Sequence, residues 1–286
     1  MYLDKHFKIN KKLQLQINEH GYFVVKKFFS KKVIEDINRS VEKLILDKNN
    51  FYPPRNISHY KNNKKALRNP NGSLKFGLDE NSIDQGYKYF YKLTNGVSYK
   101  DPLLKIRDLK KLVFKDKFID LMIYLFQKKC YFGPLKLSTF FKNKLPKNCI
   151  NFFHTDDLSF KVKKNSRSLK ISIPLNVNNK KNTEYMHLPI NKKKLNLKKQ
   201  YFEIDSLSYN LKKKIISPKI ELGDIIVFDP TNFFHSAKKP NTRIRNILYL
   251  EFVIDKKKSS NLKIFKKDFM SLSKKQKSFC QSFYKK

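Results

Sequence analysis

The sequence predicts an α+β protein in which helices come first and strands follow. Three observations predict it. Apolar residues recur at helical spacing over 31–47 and again over 103–129. After Gly133-Pro134 the spacing turns strand-like. Because the helical and extended stretches are grouped, not interleaved, a parallel sheet of βαβ units is disfavoured.

Taken in order, Gly21-Tyr22-Phe23-Val24-Val25 is a short β-rich run behind a glycine. Ser30 can cap the next element, where Val33, Ile34, Ile37, Val41, Leu44 and Ile45 mark one helix face over 31–47. Residues 49–100 are irregular and hold four of the seven glycines, which reads either as a lid or as a long surface loop. Between Leu103 and Lys129 the positions Leu109, Leu112, Val113, Phe118, Leu121, Met122, Leu125 and Phe126 predict one broken helix or two short ones. Candidate strands are 135–142, 149–155, 168–176, 185–190, 224–229 and 243–253. From Lys256 the chain is strongly basic, with a short helix expected near 273–284 on a surface-docked or frayed tail.

With 286 residues and 40% apolar content, including 25 Phe and 15 Tyr, the chain can bury a sizeable core. Its net charge of +39 invites a nucleic-acid reading, yet only seven of the 63 basic residues are arginine. Phosphate recognition leans on the bidentate guanidinium, whereas these lysines are spread along the chain among Asn, Ile and Phe. The charge is therefore read as solvated background and no nucleic-acid partner is expected. Cys130, Cys149 and Cys280 show no paired spacing, so reduced thiols are expected. No apolar run approaches the length of a membrane span, and the N-terminus lacks the apolar core of a signal peptide. A cytoplasmic protein is expected.

The chemistry is concentrated in His154-Thr155-Asp156, with His235 far downstream. On a strand, residues i and i+2 share a face, so His-x-Asp aims an imidazole and a carboxylate at one point. A histidine from another strand of a closed sheet would complete a two-histidine, one-carboxylate set, which suits non-haem Fe(II) and leaves positions open. Alone, His-x-Asp is a weak signal. Three features strengthen it: the motif ends the β-like run Cys149-Ile150-Asn151-Phe152-Phe153, Glu221-Leu222-Gly223-Asp224 turns into Ile225-Ile226-Val227-Phe228 shortly before His235, and Arg245 opens the apolar run Ile247-Leu248-Tyr249-Leu250. A planar guanidinium that stays charged suits a fixed carboxylate such as the distal one of 2-oxoglutarate. Arg243 has the same strand parity as Arg245; adjacency to the buried run favours Arg245.

These motifs resemble the phytanoyl-CoA dioxygenase family of Fe(II)/2-oxoglutarate oxygenases over most of residues 15–253. Ile17 to Val25, then Phe28-Phe29-Ser30 and the helix, resemble that family's N-terminal strand and helix. Asn143-Lys144-Leu145-Pro146 resembles the stretch before its His-x-Asp. Gly223-Asp224, Phe228-Asp229 and His235 resemble its Gly-Asp-x-x-x-Phe-Asp…His, and Asn241-Thr242…Arg245 its Asn-x-Ser…Arg. The resemblance implies an α+β fold with a double-stranded β-helix core (a cupin-like jelly roll) packed against N-terminal helices. It implies one oxygenase domain over residues 1–255, helical to about 130 and jelly-roll from about 131, with residues 256–286 as a basic tail.

By the same resemblance His154, Asp156 and His235 would bind iron and Arg245 would bind 2-oxoglutarate, with dioxygen as the second co-substrate. Asn143, Lys144, Ser138 and Thr139, on strands expected to line the pocket, are further candidates for 2-oxoglutarate, as is Ser236. A carboxylate at Asp156 favours hydroxylation of a small organic substrate over halogenation. Where the family often has Gly-Ser after the distal histidine, this chain has Ser236-Ala237. His187 is expected to be structural, Cys149 a core residue, and Asp157 to lie on the surface or behind the ligands. Two rivals stay open: a silent jelly-roll binding module, and a lysine-rich binder of nucleic acid or anionic surfaces.

Overall fold

A computed structural model describes residues 1–47, 50, 96–141, 152–156, 167–177, 185–195, 201–204, 207–237, 244–254 and 262–279. Asn143, Lys144, Cys149, Asp157, Arg243 and most of the 49–100 segment lie outside the described residues.

Among the described residues the eleven strands in chain order are β1 (Tyr2–Leu3), β2 (Tyr22–Val25), β3 (Gly96–Ser98), β4 (Tyr131–Phe141), β5 (Phe152–His154), β6 (Ser168–Pro174), β7 (Tyr185–Asn191), β8 (Tyr201–Glu203), β9 (Ile225–Phe228), β10 (Phe233–Ala237) and β11 (Ile244–Val253). They form a seven-stranded sheet, in the order β1-β2-β9-β6-β11-β4-β3, and a four-stranded sheet, in the order β7-β10-β5-β8. All pairings are antiparallel except β1 with β2. From β4 onward successive strands alternate between the two sheets, except that β7 and β8 share the small one, so the two sheets face each other as a double-stranded β-helix.

Period-two alternation assigns each side chain to a layer. Leu248, Leu250 and Phe252 of β11, Leu169, Ile171 and Ile173 of β6, and Ile225 and Val227 of β9 enter the main core. That core lies between the large sheet and the helices α1 (Lys11–His20), α2 (Lys31–Leu44) and α3 (Asp116–Phe126). Phe153, Met186, Leu188 and Phe234 form a separate cluster on the outer face of the small sheet. The remaining faces, with Lys170, Ser172, Tyr249 and Glu251 opposite His154, His187 and His235, enclose the space between the sheets.

Helix α2 matches its expectation closely. The Ser30 hydroxyl accepts from the Val33 amide, and Ile34, Ile37 and Val41 are buried. The stretch from Leu103 to Lys129 is more broken than its periodicity suggested: Pro102–Lys105, a 3-10 turn Arg107–Leu109, Lys110–Val113 and then α3. Helix α1 was not anticipated, because its polar residues leave only Leu13 and Ile17 buried. The C-terminal segment is more than a basic appendage. Leu262, Ile264, Leu272 and Phe279 enter the main core, while Asp268 is bonded by Arg107 and Lys110.

Two glycines are dictated by backbone and space. Gly21 closes α1 with φ +78°, and a Cβ there would lie 2.3 Å from the Phe233 ring. Gly223 has φ +95°, and its Cβ would meet the Phe29 carbonyl oxygen at 2.3 Å. Only glycine tolerates both the left-handed region and such close approach.

Candidate metal centre

His154 ends β5 and stands directly opposite His235 of β10 in the antiparallel ladder. Their rings lie 4.5 Å apart, centroid to centroid. Asp156 follows two residues later, its amide donating to the Pro230 carbonyl at 2.8 Å, which ties it to the β9–β10 turn. Asp156 Oδ1 is 3.4 Å from His154 Nε2 and 3.6 Å from His235 Nε2. The three ligand atoms all lie within 4.8 Å of one another. Bonds of about 2.1 Å at right angles would place neighbouring ligand atoms roughly 3 Å apart, so small adjustments suffice for one divalent ion. Two imidazoles and one carboxylate on one side of an ion fit non-haem iron.

Protonation follows from the surroundings. His235 Nδ1 lies 3.4 Å from the Phe233 carbonyl, which can only accept, so the proton belongs on Nδ1 and Nε2 keeps its lone pair. Burial and the neighbouring His154 depress His235 to about 3, which keeps it neutral and able to ligate. Burial alone would push the Asp156 carboxyl up, but His235, Lys170 and His154 outweigh it and hold it well below the usual carboxylate range. Asp156 is therefore a ready anion between the two rings.

The β9–β10 turn is built by Asp229. Its Oδ1 accepts from the Thr231 and Asn232 amides, both at 3.0 Å, and its Oδ2 from the Asn232 side chain at 2.9 Å and from Arg167 Nε at 2.8 Å. Asp224 plays the equivalent part before β9, accepting from the Lys27 and Glu221 amides and from Lys26 Nζ. Both carboxylates are buried, and both organise the backbone that delivers His235.

The remaining candidates separate by strand parity. Arg245 shares its β11 face with Ile247, Tyr249 and Glu251, is 4% exposed, and holds its guanidinium 4.5 Å from the centre of the Phe140 ring. Ser138, paired with Ile247, lies on that face too. Thr139 does not. It donates to Asn246 and accepts from the Tyr99 hydroxyl at 2.8 Å, and Asn246 in turn donates to Asn38 of α2, so this network belongs to the helix side. Ser236 is also displaced from its expectation. It pairs with Met186, and alternation turns it to the outer face of the small sheet, away from the face of His235.

His187 pairs with His235 and faces the same space, but its nitrogens are committed. Nε2 donates to the His20 carbonyl at 2.8 Å and Nδ1 accepts from the Tyr185 hydroxyl at 2.9 Å. Burial lowers it to about 3, against the hydrogen bond to His20, so it is a neutral tie between α1 and β7. Sequence reasoning missed Lys170 and Glu251. Lys170 alternates with the core residues Leu169 and Ile171, a pattern that in isolation reads as a solvated face. Its Nζ instead bonds Asp156 Oδ2 and lies 3.6 Å from Glu251 Oε2.

Fold and donor set together define a non-haem iron, 2-oxoglutarate-dependent enzyme. The chain belongs to the phytanoyl-CoA dioxygenase family, whose model matches residues 17–247. No curated protein sequence matched it. Among solved structures, EctD from S. alaskensis in its apoform is 16% identical with a TM-score of 0.52, covering 85% of this chain and 76% of that one. The epimerase SnoN, in complex with Fe3+, alpha ketoglutarate and nogalamycin RO, is 13% identical with a TM-score of 0.54, covering 85% and 82%. The carbocyclase SnoK from nogalamycin biosynthesis is 12% identical with a TM-score of 0.53, covering 86% and 84%. At these identities the likeness is one of fold. No helix among the described residues is long and apolar enough to cross a membrane.

Proposed function

We propose that this chain hydroxylates a small organic substrate, with His154, Asp156 and His235 holding Fe(II) and Arg245 holding the distal carboxylate of 2-oxoglutarate. The convergence of the three ligand atoms carries the reading. Iron and 2-oxoglutarate, when bound, would supply dioxygen activation coupled to decarboxylation of the 2-oxo acid to succinate. His235 contributes a fixed Nε2, because its other nitrogen is tied to the Phe233 carbonyl. Asp156 contributes a carboxylate kept ionised by its neighbours. Arg245, backed by the Phe140 ring, presents a desolvated guanidinium on the face that also carries Tyr249 and Glu251. A silent binding module would have no need for two imidazoles aimed at one carboxylate oxygen, so turnover is favoured.

Succinate release under Fe(II), dioxygen and 2-oxoglutarate, assayed against a panel of small molecules, tests the reading. Wild type should release succinate above the background of the His154→Ala protein. Arg245→Met should bind metal as wild type does but require far more 2-oxoglutarate. If both variants turned over as wild type does, the assignment would be wrong.

A further inference from the structure

The two oxygens of Asp156 face different partners. Oδ1 looks toward both imidazoles, at 3.4 and 3.6 Å, while Oδ2 is bonded by Lys170 Nζ from the opposite sheet. Lys170 is the cross-strand partner of Glu251, whose Oε2 lies 3.6 Å from the same ammonium. A lysine and a glutamate at an inward position of neighbouring strands add no net charge to the site. Solvation does not account for their placement, since the Lys170 and Glu251 side chains are only 20% and 12% exposed.

From this geometry we infer that Lys170, anchored by Glu251, is a positioning residue that holds Asp156 as a one-oxygen ligand. The inference rests on the metal site proposed above. Its consequence is a matter of coordination number. An octahedral ion held by two imidazoles and one carboxylate oxygen has three positions left, enough for a chelating 2-oxo acid and one more. A carboxylate gripping through both oxygens would take one of these away. Lys170 prevents that by occupying Oδ2 with a charge-assisted hydrogen bond.

The test is anaerobic titration of metal-free protein with Co(II), followed by the ligand-field absorption of the bound ion. Wild type is compared with Lys170→Arg, the double variant Lys170→Met/Glu251→Gln, and His154→Ala. The double variant removes the hydrogen bond without changing net charge, so long-range attraction for the cation is conserved. Its Co(II) affinity should fall about tenfold and its ligand-field spectrum should change, as expected for loss of a ligand-orienting partner. Lys170→Arg should restore both. The metal-free double variant should melt somewhat below wild type, because Asp156 loses its ammonium there while the Lys170–Glu251 pair itself is replaced by neutral groups at little cost. Affinity within twofold of wild type with an unchanged spectrum would show that the pair is only structural and overturn the inference. Should the double variant not fold, Lys170→Gln, whose shorter amide cannot reach as far, faces the same titration and the same two outcomes. If His154→Ala binds Co(II) as wild type does, it is the metal site itself that fails.

Discussion

His154 and His235 are direct cross-strand neighbours, the last residue of β5 against the middle of β10, with ring centroids 4.5 Å apart. Eighty residues of chain separate them, yet one antiparallel register brings both Nε2 atoms to the same carboxylate oxygen. Register is tightly specified here because a one-residue slip would exchange His235 for Phe234 or Ser236.

Removing either ring should therefore abolish tight metal binding while leaving the fold. His154→Ala and His235→Ala are expected to weaken Co(II) binding by roughly 100-fold or more, measured by calorimetric titration. Their stabilities should differ. His154 is half-buried and His235 is packed against Phe228, so the second substitution should cost about 1–2 kcal/mol more in urea unfolding.

Asp229 should matter to both stability and the site. Asp229→Asn loses a charge that Arg167 faces in a buried setting, and an amide nitrogen would oppose one of its present donors. A loss of about 2–4 kcal/mol is expected from urea unfolding. Because Asp156 donates its amide to Pro230 in the same turn, metal affinity should fall as well. Unchanged affinity would show that the turn does not position Asp156.

The two left-handed glycines give a purely steric prediction. Gly21→Ala adds a methyl into the Phe233 ring at a φ of +78°, and should cost about 2–4 kcal/mol, seen as a lowered melting temperature. Gly223→Ala meets a backbone carbonyl that cannot rotate away, and should cost at least as much. A larger loss at Gly21 than at Gly223 would mean that Phe233 cannot repack.

His187 predicts a pH dependence. Its folded value is depressed to about 3 against an ordinary 6.5, so between those values the unfolded chain binds the extra proton. Stability from this group is fully present above pH 6.5 and is lost as pH falls toward 3, at most roughly 5 kcal/mol in all. His187→Gln should flatten the rise of melting temperature across pH 4–6.5, measured on metal-free protein. His235 titrates in the same window and leaves a residual slope. An unaltered profile in the Gln variant would contradict a neutral, buried His187.

Sequence alone determined the local part of this protein. The helix that begins at Lys31, the placing of the longer helices ahead of the strands from β4 onward, and the His-x-Asp, Gly-Asp and Arg245 motifs are all readable from periodicity and side-chain chemistry, because each depends on neighbours a few residues away. Strand β10, which carries His235, did not stand out, since five residues flanked by a turn carry little periodic signal. The choice between faces was also hidden. Thr139 and Ser236 were grouped with pocket residues, and only sheet pairing turned them to the helix side and the outer face. Tertiary structure alone brought Lys170 and Glu251 to the Asp156 carboxylate, because their partner comes from the opposite sheet and no local pattern encodes that approach. Periodicity says which residues share a face; only the closure of two sheets says what that face meets.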